Sequence, residues 1–187
     1  MDKNFNIIIS GVGGQGLITL VKIITEAAFV EGLDVKSSEL HGLSQRGGSV
    51  LTHIRFGKKV YSPLVEADKA DLIIGLELLE GLRALSFGNK ETDVLVNKYS
   101  LPIFGGLPKD EIIKKLNENL GKKLHLVSAS DICKEKLGKE VASGIYLLGH
   151  AASKNLISIK KESFLQAIKN VIPEKYLELN IKAFNLA

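Results

Sequence analysis

The sequence is poor in the residues that build disulfides, clusters and metal sites. It has one cysteine, Cys133, among 187 residues, so no disulfide can form within the chain and a four-thiolate iron–sulfur cluster is excluded. The four histidines have no metal-ligand spacing with each other or with carboxylates. We therefore expect no metal site, and the scarcity of cysteine favours a cytoplasmic location.

Long apolar runs and arginines are also scarce. No stretch approaches the roughly 20 apolar residues that span a bilayer, and residues 1–10 do not resemble a signal peptide, so no membrane contact is expected. Only three of the 25 basic residues are arginines. The lysines are spread along predicted helical faces without aromatic residues between them to stack bases, which predicts no nucleic-acid partner.

Short apolar runs alternate with helical periods through the first two-thirds of the chain. Strands are predicted over 5–10, 34–38, 49–56, 71–76, 93–97 and 123–127, and helices over 17–30, 77–85, 109–120, 130–137, 141–153, 161–171 and 174–184. This order predicts a single α/β domain over residues 1–187, a three-layer Rossmann-like sandwich around a mainly parallel sheet with a helical C-terminal part. A hairpin return at residues 60–61 would make the sheet mixed, and the helices after residue 130 are expected to cover one face.

A glycine-rich turn, GVGGQG, links the first predicted strand to the first helix. It satisfies the G-x-G-x-x-G pattern in its required context, where the backbone turns tightly and the helix start offers N–H groups to an anion. The residues predicted to contact a phosphate or a cofactor here are Gly11, Gly13, Gly14, Gln15 and Gly16. The alternative is that the glycines only let the helix and the strand pack closely.

The end of the second predicted strand is less typical of a dinucleotide site. Ser37 and Ser38 stand where an acidic residue often binds the ribose, and only Glu39 is a candidate for that role. A free-standing nucleotide-binding module stays open as a second interpretation of the glycine turn.

The loop HGLSQRGGSV, residues 41–50, concentrates polar and flexible residues just before a strand. Arg46 is a forked cation that suits a carboxylate or a phosphate, and Glu39 and His41 are predicted to contact a partner or the substrate. The loop residues predicted to form one polar pocket with the glycine turn are Ser44, Gln45, Arg46, Gly47 and Gly48. Both segments leave carboxyl ends of strands, so we predict that they meet at one rim of the sheet. The alternatives are that Arg46 only pairs with a neighbouring acidic residue and so holds the loop in place, and that His41 is only a hydrogen-bonded histidine within an interface.

These two segments, followed by YSPLV at 61–65, ADLIIGLELLEGLRAL at 70–85 and LVN at 95–97, resemble in order and spacing the gamma-type subunit of the 2-oxoacid:ferredoxin oxidoreductases. The C-terminal stretches SGIYLLGHAASKNL and LELNIKAFNLA resemble the closing helices of that family. In carrying a histidine, His41, at this point of the loop, the sequence resembles the indolepyruvate type of the family. The pyruvate and 2-oxoglutarate types tend to carry an aromatic-glycine-proline-glutamate stretch there instead.

The resemblance implies a complex that oxidatively decarboxylates a 2-oxo acid, here an aryl-pyruvate such as indolepyruvate. Thiamine diphosphate and iron–sulfur clusters pass electrons to ferredoxin, and coenzyme A receives the acyl group. The chain has neither the cysteines nor the GDG sequence that these cofactors need, so we expect it to hold no cofactor and no catalytic residue and to be inactive alone. The cofactors are expected in a large partner subunit, with coenzyme A at the interface.

Several alternatives stay open at this point. The chain could serve a pyruvate, 2-oxoisovalerate or 2-oxoglutarate enzyme, since the pocket for the 2-oxo acid is expected mostly in the partner. It could also be an architectural dimerisation subunit, and a homodimer of this chain is left open.

Overall fold

The computed structural model describes residues 3–41, 47–101 and 106–187. Its strands are β1 (Phe5–Val12), β2 (Asp34–His41), β3 (Ser49–Gly57), β4 (Leu72–Gly75), β5 (Asp93–Asn97) and β6 (Leu124–Val127). They form one six-stranded sheet in the order β2-β3-β1-β4-β5-β6. Strands β1, β4, β5 and β6 are parallel, whereas β3 runs antiparallel to both β1 and β2. The prediction of a mainly parallel but mixed sheet is therefore confirmed.

The helices follow the predicted periodicity closely. They are α1 (Leu17–Val30), α2 (Leu78–Arg83), α3 (Lys109–Leu120), α4 (Ala129–Leu137), α5 (Ser143–Ser153), α6 (Lys161–Val171) and α7 (Glu174–Asn185). Short 3-10 helices span Ala84–Phe87, Gly121–Lys123 and Glu140–Ala142. The one predicted helix at 77–85 is thus a short α-helix that tightens into a 3-10 turn.

The antiparallel pairing in the sheet does not come from the hairpin that the sequence predicted. Residues 60 and 61 do not form a strand, so the predicted hairpin return there is wrong. Val60 is buried, and its N–H donates to Asp34 Oδ2 at 2.7 Å, so a side chain takes the donor that a ladder would have used. The sheet is mixed because β3 folds back between β1 and β2 instead.

Helices cover both faces of the sheet, which makes the domain a three-layer sandwich as predicted. On the face that we call the larger face, Ile7, Ile9, Ile54 and Leu95 pack against α1 and the helices α4 to α7. On the smaller face, Ile8, Ile73, Val94 and Val96 pack against α2 and α3. Alternate residues of each strand thus enter separate cores, and full burial of each such side chain stabilises the fold by roughly 1.5–3 kcal/mol. The prediction that the helices after residue 130 cover one face is confirmed.

Candidate functional site

The glycine turn and the end of the 41–50 loop contact each other at the carboxyl edge of the parallel strands. The N–H of Gly13 donates to the carbonyl of Gly48 at 2.9 Å, and the N–H of Gly47 donates to the carbonyl of Gly13 at 3.3 Å. The β1–β3 ladder continues to Val12 opposite Ser49. The predicted meeting of the two segments is confirmed for these glycines. It does not arise because β2 neighbours β1, but because β3 begins beside the end of β1.

The turn needs glycine for conformational reasons. Gly14 and Gly16 have φ values of 105° and 82°, in the left-handed region that other residues rarely adopt. Gly16 precedes α1 as its cap and supplies no side-chain cap bond. The alternative that the glycines only let the helix and the strand pack closely fits Gly11, where a Cβ would lie 3.1 Å from Leu76 and 3.3 Å from Leu17. It does not fit Gly14 and Gly16, where a Cβ would meet nothing within 4 Å.

The side chain of Gln15 stabilises the turn through two polar contacts. Its Oε1 accepts the N–H of Val12 at 2.7 Å, and its Nε2 lies 3.5 Å from the carbonyl oxygen of Leu76. A Cβ at Gly11 would lie 2.8 Å from this Oε1, so the glycine makes room for the brace. The Gln15 side chain thus links the turn to the end of β4, and its Oε1 already accepts a hydrogen bond from Val12.

Two N–H groups of the turn bond to none of the described residues. The N–H groups of Gly13 and Gln15 bond to Gly48 and Val12. Those of Gly14 and Gly16 have no acceptor among the described residues, and both glycines are exposed. Two N–H groups of exposed glycines beside the start of a 14-residue helix are suited to an oxyanion.

Two buried glutamates of the adjoining helix belong to the same edge, and the sequence analysis assigned them no role. Glu77 caps α2 with Oε2, which accepts the N–H of Glu80 at 2.9 Å, and its Oε1 accepts the N–H of Leu101 at 3.4 Å. Burial raises the pKa of the Glu77 carboxyl, although these N–H bonds oppose the shift. The sequence signal that could have located this cap is a glutamate that follows an apolar strand and precedes a helix.

Glu80 connects α2 to the start of β3. Its Oε2 accepts the hydroxyl of Ser49 at 2.5 Å, and its Oε1 accepts Nη1 of Arg83 at 2.7 Å. The Glu80 side chain is only 6% exposed. We call the assembly of residues 11–16, Gly47, Gly48, Ser49 and the two α2 glutamates the polar rim.

Asn97, at the end of β5, joins three elements below the polar rim. Its Nδ2 donates to the carbonyl of Leu76 at 3.2 Å and to Ser130 Oγ at 2.9 Å, and its Oδ1 accepts the N–H of Ser130 at 3.2 Å. This side chain is 1% exposed. The asparagine of the LVN stretch therefore holds strand ends together and does not face a ligand.

A cleft of about 490 Å³ opens beside the turn, between α1 and the C-terminal helices. Its lining is Gln15, Gly16, Thr19, Leu20, Val141, Ala142, Gly144, Ile145, Ile172, Pro173, Tyr176, Leu179 and Asn180. None of these side chains is charged, and the size is within the range of small-molecule sites. The polar rim is thus continuous with a largely apolar cleft.

The other predicted contact residues lie elsewhere or outside the described part of the chain. Glu39 is exposed on the edge strand β2, opposite Thr52 of β3. With β3 in between, it is two strand spacings, about 10 Å, from β1, which is not the place of a ribose-binding carboxylate in a dinucleotide fold. Only the backbone of His41 is described, opposite Val50. Ser44, Gln45 and Arg46 lie outside the described residues.

The remaining site chemistry is limited in the part of the chain that the structure describes. Cys133 is fully buried, as expected of a core residue, and burial raises the pKa of its thiol to about 11. No three His, Cys, Asp or Glu side chains of residues 3–41, 47–101 and 106–187 are grouped so as to hold a metal ion. Within the same ranges, no helix has the length and apolar character needed to cross a bilayer.

Comparison with known proteins agrees with this architecture. The family described as pyruvate ferredoxin/flavodoxin oxidoreductase matches residues 6–187. The indolepyruvate oxidoreductase subunit IorB of Methanothermobacter thermautotrophicus is 35% identical over 97% of this chain and 94% of its own length. The pyruvate/ketoisovalerate oxidoreductases common subunit gamma of Pyrococcus abyssi is 31% identical, over 92% and 89%.

A solved structure has the same fold. The gamma subunit of the keto/oxoacid ferredoxin oxidoreductase from Geobacter sulfurreducens PCA superposes with a TM-score of 0.72 at 22% identity, covering 97% of this chain and 95% of that one.

Proposed function

The chain belongs to the pyruvate ferredoxin/flavodoxin oxidoreductase family, and we propose that it is the cofactor-free subunit of a complex that oxidatively decarboxylates an aryl-pyruvate such as indolepyruvate. The observation that carries this proposal is near full-length similarity to an indolepyruvate subunit, at 35% identity. The similarity to a pyruvate/ketoisovalerate subunit is lower, at 31%. In this proposal the acyl group passes to coenzyme A, the electrons pass to ferredoxin, and the complex works in the cytoplasm.

A larger partner subunit supplies the redox cofactors in this proposal. One cysteine in 187 residues cannot ligate a four-thiolate cluster, and that thiol is buried with a pKa of about 11. Thiamine diphosphate would supply the stabilised carbanion from the partner. This chain contributes a surface, and the polar rim is the part of it that combines N–H groups of exposed glycines with buried carboxylates.

Coenzyme A is the ligand that we assign to the polar rim. It combines phosphate groups with a long uncharged arm. The N–H groups of Gly14 and Gly16, which bond to none of the described residues, suit a phosphate, and the uncharged cleft of about 490 Å³ beside them suits the arm. Arg46, from the loop that ends at Gly47 and Gly48, would add a forked cation.

Reconstitution tests the proposal. The chain is purified alone, the large subunit is purified alone, and the two are co-expressed; each sample is assayed for viologen reduction with indolepyruvate and coenzyme A. We expect turnover only from the pair, with a kcat/KM for indolepyruvate at least tenfold above that for pyruvate or 2-oxoglutarate. Equal turnover by the large subunit alone, or a preference for pyruvate, would contradict it.

A further inference from the structure

The start of β3 is fixed from two sides at the polar rim. On one side, Gly47 and Gly48 exchange two backbone hydrogen bonds with Gly13. On the other, Ser49, the next residue, donates its hydroxyl to Glu80 Oε2 at 2.5 Å. This bond links the start of β3 to α2. The residue that follows the glycine contact is therefore held by a second element, α2.

The position of Glu80 is fixed by the contacts of α2. Its N–H is capped by Glu77 at 2.9 Å, and its second oxygen is paired with Arg83 at 2.7 Å. The helix packs closely against β4, since a Cβ at Gly75 would lie 2.8 Å from the Cα of Gly81. A carboxylate with so little freedom defines the position of the hydroxyl that it accepts.

We propose that Glu80 is a positioning residue of the polar rim: through Ser49 it holds Gly47 and Gly48 against Gly13, so that the N–H groups of Gly14 and Gly16 keep a fixed direction. The ligand-binding consequence rests on the proposed function, because it takes coenzyme A as the ligand of these N–H groups. The structural part stands on the described contacts alone.

Amide hydrogen exchange on the isolated chain tests the structural part. In Ser49→Ala, which removes only the hydroxyl, we expect the amides of Gly13 and Gly47 to exchange about tenfold faster, while the amide of Ile8 in the centre of β1 is unchanged. Glu80→Gln should act in the same direction. Unchanged exchange at Gly13 and Gly47 in Ser49→Ala would overturn the proposal.

A matched control exists at the opposite end of α1. Ser163 also donates its hydroxyl to a glutamate, Glu31 Oε1 at 2.8 Å, which accepts the N–H of Lys160 as well. Ser163→Ala removes the same chemical bond far from the polar rim. It should speed exchange at Lys160 and leave Gly13 unchanged; faster exchange at Gly13 in this control would mean that the effect is global, and would also count against the proposal.

Steady-state kinetics of the co-expressed complex test the ligand-binding part. Ser49→Ala should raise the KM for coenzyme A about tenfold, with kcat and the KM for the 2-oxo acid within twofold of wild type, and Ser49→Thr, which restores a hydroxyl, should restore the KM. An unchanged KM for coenzyme A in an active complex overturns this part. A wild-type complex that does not oxidise indolepyruvate overturns the proposed function, while the exchange data still decide the role of Glu80.

Discussion

The two faces of the sheet are covered by helices of different chemistry. The larger face is closed by apolar side chains such as Leu147, Phe164 and Phe184, all fully buried or nearly so. Among the described residues, the buried carboxylates Glu77 and Glu80 and the buried imidazole of His53 all belong to the smaller face. Buried polar groups weaken a core unless they are bonded. Glu77, Glu80 and His53 each accept a hydrogen bond, so the smaller face is held together by polar contacts as well as by packing, whereas the larger face is closed mainly by packing.

Among the substitutions that test this comparison, we expect the largest effect from a glycine substitution on the larger face. At Gly149 of α5 a Cβ would overlap the carbonyl group of Phe184 in α7, and backbone cannot give way as a side chain can. Gly149→Ala should lower the free energy of unfolding by about 3 kcal/mol, measured by urea denaturation. Gly144→Ala on the same helix is the control, because a Cβ there meets only the flexible end of Leu20 at 3.1 Å; an equal loss in both variants would contradict the explanation.

An intermediate effect is expected from the cap on the smaller face. Glu77→Ala removes the acceptor of the Glu80 and Leu101 N–H groups, and loss of a cap costs about 1–2 kcal/mol. The exposed Glu111, in the first turn of α3 with Lys115 at 3.9 Å, is the matched control. Its replacement by alanine should change stability by less than about 0.5 kcal/mol, and a loss as large as that of Glu77→Ala would remove any special role of the buried cap.

The smallest effect is a pH dependence on the smaller face. Burial lowers the pKa of His53, and its Nδ1 accepts the N–H of Val65 at 3.1 Å, which requires the neutral ring. Because the unfolded chain takes up the proton at about pH 6.5, the stabilisation is complete above that value and is lost as the pH falls below it.

His53→Asn, which keeps an acceptor for Val65, should therefore reduce the fall in stability between about pH 6.5 and 5. Part of the slope should remain, since burial also lowers the pKa of His150 on the larger face. Urea denaturation at several pH values checks this, and a slope identical to that of wild type would show that His53 does not titrate as described.

The regular elements were predictable because their signals are local. The helical periods after residue 130 predicted α4 to α7 almost to the residue, and the apolar run at 5–10 predicted β1. The position of β3 was not predictable in this way. Its insertion between β1 and β2 depends on pairs such as Ile7 with Ile54, which no local pattern encodes.

The candidate site was predictable only in part for the same reason. The glycine pattern located the turn and the loop. Gly13 meets Gly47 and Gly48 because the antiparallel strand β3 begins beside the end of β1, which the sequence pattern did not predict. Glu80 was missed because its role depends on Ser49, 31 residues away. Gln15 was predicted to contact a cofactor, and that prediction stays untested. Its carbonyl is already bonded to Val12, which the sequence pattern alone could not reveal.

The most direct test of the central claim, that the polar rim of this chain binds coenzyme A in a larger complex, is hydrogen exchange of the assembled complex with and without coenzyme A. We expect added protection in the peptide that covers residues 11–19 and none in the peptide that covers residues 88–94, whose Gly88, Asn89, Lys90, Thr92 and Val94 line a separate cavity. An active complex in which coenzyme A leaves residues 11–19 unprotected would contradict the claim.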